Sequence, residues 1–153
     1  GWRERSFGEL QGLEYERVFG EFPEFDAAAT GAMALEATPD RGESMVETYE
    51  RVVTAYDGLL ARHGPDDTVL VVTHGGPVYV ALAYARDQTL PEAFGAPHQE
   101  NCAVNELAHD HETDETAVVA ENETSYRDDD VGRLREAAED ALGTDGTDSD
   151  AES

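Results

Sequence analysis

The sequence has no lysine, a single cysteine, and no apolar run approaching the roughly 18 residues that would span a bilayer. Each absence excludes something. Without lysine, the ten basic side chains are all arginine, and against 35 acidic ones they leave a formal net charge of −25. Such a polyanion excludes nucleic acid and anionic membranes as partners, since both need basic surface. Cys102, alone, cannot close an internal disulfide and fits a reducing compartment. No charged-then-apolar leader precedes a small-residue cleavage site, so neither a membrane span nor a secretory signal is expected, and a cytoplasmic location is. What is present suffices for a core: 153 residues, 39% hydrophobic and 8% aromatic, make one domain able to bury about two thirds of its unfolded surface.

The charge carries a second expectation. An excess of 25 negative charges strains a fold through self-repulsion at low salt, whereas at about 1 M salt the Debye length is near 3 Å and distant charges hardly interact. A halophilic source is expected. Gly1 stands where an initiator methionine would, and the chain reads as begun inside a longer gene.

Residues 1 to 25 carry Phe7, Leu10, Leu13, Tyr15, Val18, Phe19, Phe22 and Phe25, and residues 26 to 41 read as a loop or short helix with a Pro39-Asp40 turn. From Ser44 the pattern sharpens. Met45, Val46, Tyr49, Val52, Val53, Tyr56, Leu59 and Leu60 form one helical stripe, and Ser44 with Glu47 has the form of a capping box. The helix should end near His63-Gly64-Pro65. Thr68-Val69-Leu70-Val71-Val72-Thr73, β-branched without polar alternation, predicts a central parallel strand buried on both faces. It breaks at His74-Gly75-Gly76-Pro77 into a buried helix over Val78 to Tyr84. Cys102 to Leu107 and Thr116 to Ala120 predict a hairpin. A stripe from Val131 to Leu142 predicts a last helix, so residues 1–142 form the α/β domain and residues 143–153 an acidic disordered tail.

The informative spot is Thr73-His74-Gly75-Gly76. In open α/β sheets ligands bind beyond the carboxyl ends of strands, and a helix starting there points unpaired N–H groups and the positive end of its dipole at the crevice. Glycines let backbone approach a phosphate, and His74 adds a donor that can carry charge. A histidine that merely ends a strand before a glycine turn is the plain alternative.

Residues 69–76, together with Arg3-Glu4-Arg5-Ser6-Phe7-Gly8-Glu9-Leu10-Gln11-Gly12, Gly42-Glu43-Ser44 and Asn101-Cys102-Ala103-Val104, resemble the histidine phosphatase superfamily, the phosphoglycerate-mutase-like proteins. Four blocks in order over most of residues 3 to 107 carry the match. The resemblance implies an α/β sandwich with a mainly parallel sheet, here incomplete at the N-terminus, and phosphoryl hydrolysis or transfer through a phosphohistidine. It makes His74 the second histidine, holding the transferring oxygens, and Glu4 the acid that protonates the leaving group. Arg5 follows as a contact for substrate anions or as a structural ion pair. Gly75 offers its N–H and Asn101 borders the pocket. No cofactor and no metal is implied, and the partner is a small phosphorylated substrate, with a phosphomonoesterase ahead of a phosphoglycerate mutase.

The family's nucleophile sits in an Arg-His-Gly motif at the end of its first strand, before the glutamate block, and that block starts here at residue 3. The chain is therefore expected to be weak or inactive by itself. Arg62-His63-Gly64 lies at a helix end rather than after a strand and is not assigned the role. A non-catalytic phosphate- or partner-binding module is the competing reading. His109-x-His111 with nearby acids reads as a solvated turn ahead of a metal site, and Cys102 as a buried inert thiol. With a central strand missing, an exposed apolar sheet edge would invite a homodimer.

Overall fold

The structure, a computed structural model, describes residues 1–95 and 98–127. The expected helix over 131–142 and the acidic tail lie outside the described residues. A 3-10 turn at Gly8–Leu10 is followed by α1 (Tyr15–Glu21), a 3-10 turn at Pro23–Phe25, α2 (Ala27–Thr30), α3 (Met33–Glu36), α4 (Met45–Leu60), α5 (Gly75–Ala85), α6 (Leu90–Phe94), β1 (Val104–Asp110) and β2 (Glu115–Glu123).

The start of α4 is fixed locally. The Ser44 hydroxyl accepts the Glu47 N–H at 3.0 Å while the Glu47 carboxylate accepts the Ser44 N–H at 2.8 Å, so two donors of the first turn are satisfied reciprocally. Thr48, Val52 and Tyr56, four residues apart, are the buried stripe. α5 differs: Pro77, Val80, Ala81, Leu82 and Ala83 are all buried, because α4, α6 and β2 pack around it. Its alanines let these neighbours approach closely. Tyr56 meets Tyr84 edge to face at 5.7 Å and donates its hydroxyl to Thr116 at 3.3 Å, tying α4 to α5 and to the hairpin.

The hairpin is antiparallel, with Leu107 opposite Val118 and His109 opposite Thr116. Its burial alternates residue by residue, one face on the helices and one in solvent. Cys102, expected to be buried, is exposed with φ +59° in the turn before β1. α1, α2 and α3 form a separate cap that buries Val18, Phe25 and Ala34 and reaches the core through α3 on α4.

The predicted central strand is the main departure. Residues 68–73 belong to no ladder, and the sheet among the described residues is the two-stranded antiparallel hairpin rather than a mainly parallel one. Leu70 and Val72 are each 87% exposed. The reason is that a strand exists only with a partner: β-branched composition favours extended backbone, but no backbone hydrogen bond joins residues 68–73 to another described segment. No helix among the described residues is long and apolar enough to cross a membrane.

Exposure sets the cost of substitution. In urea titrations at low protein concentration, Leu70→Ser and Val72→Ser should each change stability by less than about 0.5 kcal/mol, whereas Ser44→Ala should cost about 1 kcal/mol through its lost cap. A loss above about 2 kcal/mol at Leu70 would mean that this side chain is buried in solution.

Candidate functional site

The N-terminal segment has no secondary structure of its own and is held by charge. Glu43, just before the cap of α4, receives Arg3 at 2.8 and 2.6 Å, Arg51 at 2.9 and 3.1 Å, and the Ser6 N–H at 3.1 Å. Arg51 also donates to the carbonyls of Gly1 and Arg3. Burial of Glu43 would raise its pKa, but the bonds from Arg51, Ser6 and Arg3, with the Arg51 charge, outweigh it and hold the carboxyl below its ordinary value.

Thus anchored, residues 2–5 run beside the end of the 68–73 segment, where the Thr73 hydroxyl donates to the Trp2 carbonyl. This places Glu4 at the N-terminus of α5. One carboxylate oxygen accepts the Arg5 N–H at 2.8 Å and the other the Gly76 N–H at 3.2 Å. A Cβ on Gly76 would lie 2.2 Å from the Glu4 Oε1, so glycine is what admits the carboxylate here. His74 is the N-cap residue of α5, in extended conformation, with an exposed ring that makes no capping bond. Gly75 contributes the first N–H of the helix, Gly76 the second, already taken by Glu4, and Pro77 none.

Arg5 is turned inward and is 7% exposed. Its Nε donates to the Glu43 carbonyl at 2.8 Å and an Nη to the Ala37 carbonyl at 3.4 Å, and the guanidinium lies 4.9 Å over the Phe7 ring. Desolvation lowers its pKa, opposed by the Glu43 charge. These bonds fasten the segment bearing Glu4 to the loop before α4.

Asn101 sits in an exposed turn. Its loop is tied to α5 through the Gln99 N–H, which donates to the Tyr79 hydroxyl at 2.9 Å, and to the hairpin through Asn105 on Gln99 and the Glu100 N–H on Asn122. Tyr79 reaches back along α5 to within 3.8 Å of the Cβ position of Gly75. The structure therefore brings Glu4 to the His74-Gly75-Gly76 corner and hangs the Asn101 loop on the same helix, without a contact between Asn101 and Glu4 or His74. Sequence reasoning passed over Tyr79, whose signal was its i+4 spacing from Gly75 on one helix face. It also passed over the anchoring by Glu43, quoted only within the Gly42-Glu43-Ser44 block, because its partners Arg3, Ser6 and Arg51 lie 40, 37 and 8 positions away.

His63 ends the α4 region, exposed, with Nδ1 3.5 Å from Asp67. His109 Nδ1 lies 3.0 Å from the Thr116 hydroxyl and its ring packs on His111 at 4.7 Å. Among the described residues no group of three or more His, Cys, Asp or Glu is arranged to hold a metal.

Comparison with known proteins gives this arrangement relatives. The family model of the histidine phosphatase superfamily (branch 1) matches residues 1–123. The Phosphoglycerate mutase-like protein 4 of Arabidopsis thaliana is 34% identical over 84 residues, covering 55% of this chain and 36% of its own length. Among solved structures, Bacillus stearothermophilus YhfR aligns with a TM-score of 0.66 at 25% identity, over 79% of this chain and 58% of that one. Mycobacterial hydrolase 1 aligns at 0.63 and 22% identity, over 80% and 61%, a likeness of fold. The chain thus spans roughly a third of that curated relative and roughly three fifths of the two solved ones.

Two outcomes are expected. Because the folded pKa of Glu43 is depressed, its stabilisation is present above the ordinary value of 4.5 and is lost as pH falls through the lower folded value. Glu43→Gln should therefore cost about 1–3 kcal/mol at pH 7, and the difference from the parent should shrink in acid, read by denaturant titration at stepped pH. Gly76→Ala should displace Glu4, seen as a shift of the residue 76 amide resonance, with stability changed by less than about 1 kcal/mol because the flexible carboxylate swings away while alanine favours the helix.

Proposed function

The chain belongs to the histidine phosphatase superfamily (branch 1), and from that premise we propose that residues 1–107 carry the acid and phosphate-holding half of a phosphomonoesterase site, with phosphoglycerate mutase as the lesser alternative. The observation that carries this reading is the Glu4 carboxylate on the Gly76 N–H at 3.2 Å, 72 residues apart in sequence. It sets an acidic group beside the helix N-terminus that His74 opens.

In the proposed mechanism His74 and the Gly75 N–H hold oxygens of the phosphoryl group, where charge builds in the transition state. Glu4 gives a proton to the leaving oxygen. Arg5 acts as a positioning residue, fixing Glu4 through the backbone, and Asn101 borders the substrate. The phosphohistidine nucleophile comes from outside these 153 residues, since the single Arg-His-Gly, residues 62–64, follows α4 instead of a strand. A high-salt setting goes with this proposal on the strength of the charge, and a cytoplasmic one on the single cysteine.

A non-catalytic phosphate-binding module is the second reading, favoured by the exposure of His74. One experiment separates the outcomes. The 153-residue chain at high salt should bind orthovanadate or inorganic phosphate, followed by the His74 ring resonances, yet turn over an aryl phosphate slowly or not at all. His74→Ala should weaken binding about ten- to a hundredfold, the loss of a hydrogen bond to a charged group worth about 1.5–3 kcal/mol. Unperturbed His74 resonances at saturating anion would sink both readings, and brisk turnover surviving His74→Ala would sink the mechanism.

A further inference from the structure

Between α6 and β1, residues 98–103 cross the surface with no helix or ladder of their own. Asn101 and Cys102 at the tip are exposed and stand outside the core. A tip of this kind costs a fold little to leave loose. This one is held on several sides. The Glu100 N–H donates to Asn122 Oδ1 at 2.7 Å, while Asn122 Nδ2 donates to the His98 carbonyl at 3.2 Å. Asn105 Nδ2 donates to Gln99 Oε1 at 3.0 Å. The Tyr126 hydroxyl donates to the Cys102 carbonyl, and the Ala103 N–H closes the turn on the Glu100 carbonyl at 3.1 Å. Within these ties Cys102 is kept at φ +59°, a left-handed backbone that most side chains avoid and that persists only where the surroundings enforce it.

One tie differs in where it ends. The Gln99 N–H donates to the Tyr79 hydroxyl at 2.9 Å, and Gln99 is buried at that point. Tyr79 stands one helical turn after Gly75, and its ring edge lies 3.8 Å from the position that a Gly75 Cβ would take. The same side chain therefore touches the turn that carries the open Gly75 N–H and holds the loop that carries Asn101. Asn101 itself makes no contact with Glu4 or His74, so any coupling between loop and corner runs through this tyrosine.

We propose that Tyr79 is a positioning residue of the phosphate corner: through the Gln99 N–H it fixes the 98–102 loop, and with it Asn101, relative to His74 and Gly75. The role rests on the phosphate-holding reading of that corner and adds a residue to it. Ordering an exposed turn before a guest arrives removes the cost of ordering it from the binding step. The fold gains little from the same ordering, because the tip buries no apolar side chain.

The test is a phosphate titration of the 153-residue chain at molar salt, followed by the His74 ring resonances and by the backbone amides of residues 98–103. Tyr79→Phe keeps the ring and removes the acceptor. It should shift the Gln99 amide in the free protein and weaken phosphate about three- to tenfold, the worth of one hydrogen bond. Asn101→Ala should weaken it by a similar factor, and the double variant should bind about as well as either single one, because the two act in series. Tyr84→Phe, which removes another α5 hydroxyl from its bond to Asp57, should leave the affinity unchanged. Cys102→Gly folds, since glycine takes positive φ freely, and should weaken phosphate by loosening the turn while the melting temperature holds or rises. A purely structural role does not separate affinity from stability in this way. Absence of phosphate binding by the parent chain would sink the proposed function and this role with it. The positioning role alone is overturned if the parent binds, with its His74 resonances shifted, and Tyr79→Phe or Cys102→Gly binds as tightly. The same holds if the losses at Tyr79 and Asn101 add, or if Tyr84→Phe weakens binding as much.

Discussion

The Glu43 carboxylate is the constraint on which the candidate site rests. Residues 1–6 have no ladder and no helix to hold them, yet they carry the acid that must stand at the head of α5. Four guanidinium bonds and one amide bond converge on Glu43, and Glu43 is itself placed by the capping box one residue later. The order of dependence runs from a local sequence signal, Ser44 with Glu47, to a fixed helix start, to a fixed carboxylate, to an anchored segment, and only then to Glu4. The Glu43 side chain is 14% exposed, so these charges interact with less screening than the surface pairs elsewhere in the molecule.

Elements defined by their own residues were readable in the sequence. The stripe and cap of α4 gave its start to the residue, the glycine corner gave the head of α5, and two short strand-like segments with a polar stretch between them gave the hairpin, whose strands run a few residues further than composition alone suggested. Each depends on neighbours within about a turn. What the sequence could not convey depends on partners far along the chain. Val69 to Val72 has the composition of a central strand, but composition states a preference and pairing needs a second segment. The inward turn of Arg5 and the convergence on Glu43 join residues about 40 positions apart, and no periodicity encodes them.

The same distinction divides the site. His74, Gly75 and Glu4 were singled out by motif, and the contact between Glu4 and the glycine corner gives two of those blocks a common location. The steric need for glycine at 76 emerges only from geometry. So does the support for the Asn101 loop, which passes through Tyr79, Asn105 and Asn122, residues that any motif search treats as ordinary. Tyr79 is notable because it lies on the helix whose first turn forms the corner, so loop and corner share one rigid support.

The sequence Gly-Gly-Pro at the head of α5 has a consequence for how the corner receives a guest. Of its three main-chain positions, one lacks a hydrogen, one is engaged by Glu4, and one is open. The engaged position is held by a carboxylate tethered to the protein, whose local concentration corresponds to the millimolar range or above typical of short tethers. An anion arriving at the proposed site would therefore meet a built-in rival rather than an empty cradle, and would need enough negative charge to displace it.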